Sequence, residues 1–169
     1  MYAEQTVQKL FYMGPNFRYE RPQKGRYRQF SQVGVEAIGS DSPLMDVEVI
    51  LYAATVLRAL GLKGVKVRIN SIGDEESRNA YRTALVEYFS KYQEELCGDC
   101  KVRLEKNPLR ILDCKVDNQK EFFANAPKIS DYLNEASKNH FNKVVEALKE
   151  VGLPYEINPN LVRGLDYYC

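Results

Sequence analysis

A single histidine, His140, stands in the 169 residues. That scarcity removes any Ser-His-Asp arrangement and leaves little scope for a histidine-built metal centre. Neither the Gly-rich P-loop pattern nor the dinucleotide fingerprint is present, so a nucleotide would have to be gripped by other means. No apolar run approaches the length of a membrane span, and no charged start followed by an apolar stretch marks a secretory signal. The expected location is therefore cytoplasmic, with no membrane partner. Charge of either sign is not in excess: the formal net charge is +1, which speaks against nucleic-acid binding by the whole surface and leaves only local patches. Four cysteines occur, and in a chain of this kind disulfides are not expected.

What is present is concentrated. Phe17 to Glu36 reads FRYERPQKGRYRQFSQVGVE, two runs of alternating residues around Arg21-Pro22-Gln23-Lys24-Gly25-Arg26. The pattern predicts two antiparallel strands joined by a basic loop. Arg18, Arg21, Lys24, Arg26 and Arg28 place five positive charges in eleven residues, against the one acid Glu20. Such a loop suits an anion, because the guanidinium fork pairs two oxygens at once and each charge-assisted bond is worth about 1.5–3 kcal/mol. On the second strand Arg28, Phe30, Gln32, Gly34 and Glu36 share a face, a polar floor that a solvated outer face would also explain. Gly34 between the two polar residues offers room for a ligand or another backbone.

The remaining elements follow from periodicity and punctuation. Leu10 to Met13 reads as a short apolar run that Gly14-Pro15 breaks before the hairpin. Asp41-Ser42-Pro43 starts a helix carrying Leu44, Val47, Leu51, Ala54 and Leu57, stopped by Gly61. Val65, Val67 and Ile69 mark a half-buried strand. From Glu75 a long amphipathic helix runs through Tyr81, Leu85, Tyr88, Phe89 and Tyr92 to Leu96, and Asn118 to Asn125 is helical. Ser130 caps a short helix, and Phe141, Val144, Val145 and Leu148 stripe the next, which Gly152 ends. Tyr155 to Ile157 and Leu161 to Tyr168 read as strands, with Arg163, Leu165 and Tyr167 on one face and Tyr168 on the other. The expected fold is α/β: a mainly antiparallel sheet with flanking helices and a small helical insertion. The domain limits are 1–74 for the first part of the core with the hairpin, 75–130 for the insertion, and 131–169 for the return to the core.

Cys97-Gly98-Asp99-Cys100 has the spacing of half a metal knuckle, with Cys114 further on. A closed zinc site needs four ligands, and Cys169 is distant in sequence and assigned to another strand. No metal ligand is therefore assigned. A redox pair lacks the preceding strand it would require.

Taken together, FRYERPQKGRYRQFSQVGVE resembles motif 2 of class II aminoacyl-tRNA synthetases in the form typical of the histidyl-tRNA synthetase family. The ending LVRGLDYY is similar to that family's histidine-specific motif, and NPLRILDCK is also familiar from its bacterial members. The resemblance covers essentially the whole chain. It implies that Arg18 contacts the α-phosphate of ATP and that Arg26 lies near the phosphates or the tRNA acceptor end. Gln32 and Glu36 would bind the histidine substrate, and Arg163 would contact its carboxylate and the α-phosphate as a cationic catalyst. Tyr167 and Tyr168 would form the imidazole pocket. ATP is then a substrate, with Mg²⁺ expected beside it, and the partners are histidine, tRNA(His) and, in the complete protein, a second subunit. Motif 1 should lie upstream, and motif 3 and the anticodon-binding domain downstream. The chain therefore reads as a catalytic-domain fragment, inactive alone in aminoacylation. Two other readings compete. One is the regulatory-subunit paralogue of ATP phosphoribosyltransferase, which would have no need of the ATP-facing arginines. The other is an RNA-binding insertion module, for which 75–130 lacks a basic stripe.

Overall fold

A computed structural model describes residues 7–162. They divide between two compact units, one ending at Leu62 and the other beginning at Lys63. The first is built on strands β1 (Gln8–Phe17) and β2 (Gln29–Ile38), paired antiparallel from Gln8↔Ile38 to Phe17↔Gln29. β1 runs straight through Gly14-Pro15, which do not break it. The reason lies in the register. Arg18 donates its N–H to Arg28 O at 2.8 Å, so even-numbered residues of β1 take the hydrogen-bonded positions. Pro15 falls opposite Ser31 at a non-bonded position, where its missing N–H costs no ladder bond. The chain reverses at Lys24-Gly25 between reciprocal bonds, Gln23 N to Arg26 O at 3.0 Å and Arg26 N to Gln23 O at 2.8 Å. Gly25 takes φ +76° while no non-glycine residue described has positive φ, the pattern of a type II turn.

Helix α1 (Pro43–Ala59) begins as its sequence dictates: Ser42 accepts the Leu44 N–H, and Pro43 stands in the first turn. Gly61, at φ +78°, follows its end. Of its apolar stripe only Val47 is buried, and Leu44 is exposed.

In the second unit β3 (Val67–Ile69) pairs parallel with β4 (Tyr155–Ile157). Between them lie α2 (Glu75–Ser90), α3 (Gly98–Lys106), α4 (Glu121–Ala124) and α5 (Glu135–Glu150), joined by short 3₁₀ turns. The long helix expected to reach Leu96 stops at Ser90. Its last N–H groups bond three residues back, Lys91 to Tyr88 and Tyr92 to Phe89, which tightens and ends the helix. Leu96 reaches the core from the next turn instead. Tyr81, Leu85 and Phe89 of α2 meet Cys100 and Leu104 of α3, Ile111, and the Phe122–Phe123 pair of α4 in one buried cluster. Phe122 also stacks on Tyr92 at 4.6 Å between ring centroids.

Ser130 does not cap a helix: it lies in the 3₁₀ turn Ile129–Asp131, and Asn134 caps α5 by accepting the Ser137 N–H at 2.9 Å. The caps of α2 and α5 are knitted together. Asp74 accepts from Ser77 N at 2.9 Å and from Asn134 Nδ2 at 2.6 Å, while Asn134 N donates to Ser77 Oγ at 3.1 Å. The N–H bond from the Ser77 backbone holds the Asp74 carboxyl below its ordinary range, aided by the Ser77 hydroxyl and Asn134. The described portion is thus a mixed α/β fold in which the long strand pair is antiparallel and the short one parallel. Among the described residues no helix is long and apolar enough to cross a membrane.

Candidate functional site

Opposed residues of an antiparallel pair point to the same side, so the register collects Tyr12 and Arg18 of the first arm with Arg28, Phe30, Gln32, Gly34 and Glu36 of the second. Three residues expected to act on ligands, Arg18, Gln32 and Glu36, therefore share one face. Arg18 is fixed twice. Its Nε donates to Tyr27 O at 2.9 Å, and its guanidinium carbon lies 4.5 Å from the centroid of the Phe30 ring. The aromatic face attracts the cation, and with Nε engaged the terminal amino groups remain as a forked donor. Phe30 precedes Gln32 by two residues, so their Cα atoms are separated by about 7 Å along the strand. Gln32 is exposed and donates through Nε2 to the Tyr12 hydroxyl at 2.8 Å.

Gly34 makes that bond possible, though not as an opening for a ligand or a backbone. A Cβ there would fall 2.1 Å from Tyr12 Cζ, so the space above the glycine belongs to the tyrosine ring. Tyr12 was not singled out from sequence, because the Gly14-Pro15 break severed it from the hairpin. Continuing the strand register past Pro15 places it directly opposite Gly34.

Glu36 is half-buried and lines a groove of about 260 Å³ between this end of the sheet and α1, with Val35, Met45, Val49 and Tyr52. Lys9 and Glu48, at 2.7 Å, stand on the same groove. Arg26, in the loop, is ion-paired with Glu20 at 3.2 Å, both side chains more than half exposed. Such a surface pair contributes about 0–1 kcal/mol and yields readily to a phosphate. Arg163, Tyr167 and Tyr168 lie outside the described residues.

A second constellation lies in the insertion. Cys97 is the N-cap of α3, Cys100 sits in its first turn, and Cys114 and Asp117 flank the turn at Lys115 and Val116. One ligand atom from each of the four lies within 4.8 Å of every other. Cys97 N donates to Asp117 Oδ2 at 3.0 Å, and Asp117 N donates to Cys114 Sγ at 3.3 Å. Lys120 Nζ closes on Asp117 Oδ1 at 2.7 Å. Burial pushes the Cys97 and Cys100 thiols up, with Asp117 adding to it. Burial also acts upward on Cys114, but N–H bonds from Asp117 and Val116 outweigh it and bring that thiol down. For Asp117 the desolvation is likewise overcome, by Lys120 and by the Cys100 and Cys97 thiols, and the carboxyl is held well below its usual range. In sequence the only further cysteine is the distant Cys169. Asp117, three residues after Cys114, is the nearer donor.

The model of the family described as histidyl-tRNA synthetase matches residues 1–169. The histidine--tRNA ligase of Geobacillus sp. (strain WCH70) is 59% identical over 160 residues, which are 95% of this chain and 38% of that protein. The ligase of Bacillus subtilis (strain 168) is 57% identical over the same share of each chain. Among solved structures, apo S. aureus histidyl-tRNA synthetase superposes with a TM-score of 0.69 at 44% identity, covering 95% of this chain and 36% of that one. None of these relatives is a regulatory subunit of ATP phosphoribosyltransferase. The chain spans under two-fifths of the length of the relatives it matches. On these matches, and with the hairpin its motif implied, the chain belongs to the histidyl-tRNA synthetase family.

Proposed function

We propose that this chain carries part of the histidine-activating site of a histidine–tRNA ligase, with the β1–β2 hairpin as its nucleotide-facing wall. The observation that carries the reading is the order of groups on one sheet face: Arg18 clamped over Phe30, then Gln32, then Glu36. An amino-acid carboxylate lying between Gln32 and the guanidinium would meet the α-phosphate of ATP at Arg18. Attack of that carboxylate on the α-phosphorus expels pyrophosphate and leaves histidyl-adenylate, which tRNA(His) then accepts. No protein nucleophile is required. Arg18 acts by holding positive charge where it builds up in the transition state, and Phe30 and the Tyr27 carbonyl keep it in place beforehand. Gln32 and Glu36 orient the amino acid. Arg26 exchanges Glu20 for the outer phosphates or the tRNA end. Arg163, Tyr167 and Tyr168 complete the carboxylate and imidazole contacts.

Mg²⁺ would arrive with the triphosphate, whose oxygens are the ligands it prefers; the thiol-rich cluster of the insertion is the wrong donor set for it. Residues 75–130 form an insertion between the two core segments, the complete protein acts in the cytoplasm, and it works as a homodimer. The 169 residues alone do not aminoacylate tRNA.

The test is histidine-dependent pyrophosphate exchange by the complete protein. Arg18→Lys keeps the charge but loses the fork and the stacking, and kcat is expected to fall about 10²–10³-fold. Gln32→Ala is expected to act mainly on the KM for histidine. Equal effects of both substitutions on both parameters would count against the division of labour.

A further inference from the structure

We infer that Cys97, Cys100, Cys114 and Asp117 form a closed structural site for a thiophilic divalent cation, Zn²⁺ in the first place. The site lies in the helical insertion and serves no step of histidine activation.

The geometry supports it in two ways. A tetrahedral ion with Zn–S bonds of about 2.3 Å sets its sulfurs about 3.8 Å apart. Cys97 Sγ and Cys114 Sγ stand 3.8 Å apart, and no donor of the four lies more than 4.8 Å from another. Closing the cluster onto an ion therefore asks for shifts of an ångström or less. The donor set is also complete: three sulfurs and one carboxylate leave no open position, as a structural site requires.

The surroundings exclude the plainer reading of these residues as small apolar packing. Buried cysteines often serve that way, but a fully buried carboxylate among them does not. Asp117 has 0% exposure and already bonds to Cys97 N and Lys120. These bonds aim its carboxylate, as supporting bonds do around metal ligands generally. Lys120, also bonded to the carbonyl of Glu95, supplies a positive charge beside a donor set that becomes anionic when its thiols ionise. Asp117 N on the Cys114 sulfur stabilises the thiolate form in the same sense. Thiolate-rich tetrahedral sites favour Zn²⁺ over the oxygen-seeking Mg²⁺ and Ca²⁺. Binding displaces the thiol protons to solvent and changes no oxidation state.

The occupied site would join the N-terminus of α3 to the Cys114–Asp117 segment, two pieces of chain already tied by the bond from Cys97 N to Asp117.

The 169-residue chain, prepared with reductant in zinc-supplemented medium, is expected to retain one Zn²⁺ per chain by elemental analysis. Replacement by Co²⁺ should give the visible bands of tetrahedral geometry and a near-ultraviolet thiolate-to-metal band. Cys100→Ser should lower that band by about one third, since one of three thiolates is lost. Asp117→Asn should keep it while weakening Zn²⁺ at least tenfold. Added Zn²⁺ should raise the melting temperature of the metal-depleted chain, and less so for either variant. The unsubstituted chain alone decides the matter if the variants fail to fold. Absence of stoichiometric Zn²⁺ together with no Co²⁺ thiolate band would overturn the proposal. So would alkylation of the three thiols at the same rate with and without Zn²⁺, or a Cys97–Cys114 disulfide as the only change the cluster undergoes.

Discussion

Gly34→Ala separates the stability of the hairpin from its binding face. The added Cβ would lie 2.1 Å from Tyr12 Cζ and 2.3 Å from its hydroxyl. Ordinary contact begins near about 3.5 Å, so the ring must retreat by about 1.4 Å. Added to the present 2.8 Å, that retreat carries the hydroxyl beyond hydrogen-bonding reach of Gln32. The lost bond is exposed and is worth about 0.5–1.5 kcal/mol, at the lower end. Alanine in place of glycine offsets about 0.4–1 kcal/mol by restricting the unfolded chain, since Gly34 does not require positive φ. Urea denaturation of the chain should therefore show a net change of under about 1 kcal/mol. Binding should not be spared, because Gln32 loses the group that aims it. In the complete protein the KM for histidine in pyrophosphate exchange should rise about tenfold, the equivalent of about 1.4 kcal/mol. Tyr12→Phe, which keeps the ring and removes only the hydroxyl, should rise less. An unchanged KM in Gly34→Ala, with the chain still folded, would refute the view that Tyr12 and Gln32 act as a pair.

Two further expectations concern the second unit. Gly73 has φ +64°, and a Cβ there would meet Ser77 Cβ at 2.6 Å and Leu133 Cδ2 at 2.7 Å, at the point where the two helix caps are tied. Gly73→Ala should destabilise by about 2 kcal/mol or more by urea titration, and a neutral result would mean the caps are looser than their bonds imply. Tyr81, 1% exposed, donates its hydroxyl to Pro127 O at 2.9 Å, and burial pushes its ionisation well above the ordinary 10.0. A raised folded value means its stabilisation is complete below about pH 10 and is lost as pH climbs, at about 1.4 kcal/mol per unit for one group. Denaturation between about pH 9 and 12 should show that slope, and Tyr81→Phe should flatten it while lowering stability at neutral pH. A variant with an undiminished alkaline slope would refute the assignment to Tyr81.

What could be read ahead of the structure was what depends on neighbours in sequence. Ser42-Pro43 fixed the start of α1, Gly61 and Gly152 followed the helices they end, and the alternation from Arg28 to Glu36 sorted Gln32 and Glu36 to one face. The misses share a different cause. Pro15 looks like a breaker until its position in the ladder is known, and that position depends on the partner strand. Ser130 reads as the cap of a short helix, but that stretch closes only as a 3₁₀ turn, and the cap of α5 is Asn134, tied to Ser77 of the other helix. Asp117 escaped attention because its surroundings are made by α3, residues away in sequence but adjacent in the core. Tyr12 was hidden by the same break that Pro15 suggested.

The pairing of β3 with β4 has a consequence for synthesis. Arg68 and its partner Glu156 are 88 residues apart, so at about 5–20 residues per second the first strand waits roughly 4–18 s on the ribosome for the second. That ladder therefore cannot nucleate folding of this unit. The helices between the strands must assemble first, and by bringing their own ends together they lower the effective loop that β3 and β4 have to close. Damage to the helical core, even at residues far from either strand, would then appear as slow or failed strand pairing, and the hairpin of the first unit, emerging earlier and closing across only a tight turn, would be indifferent to it.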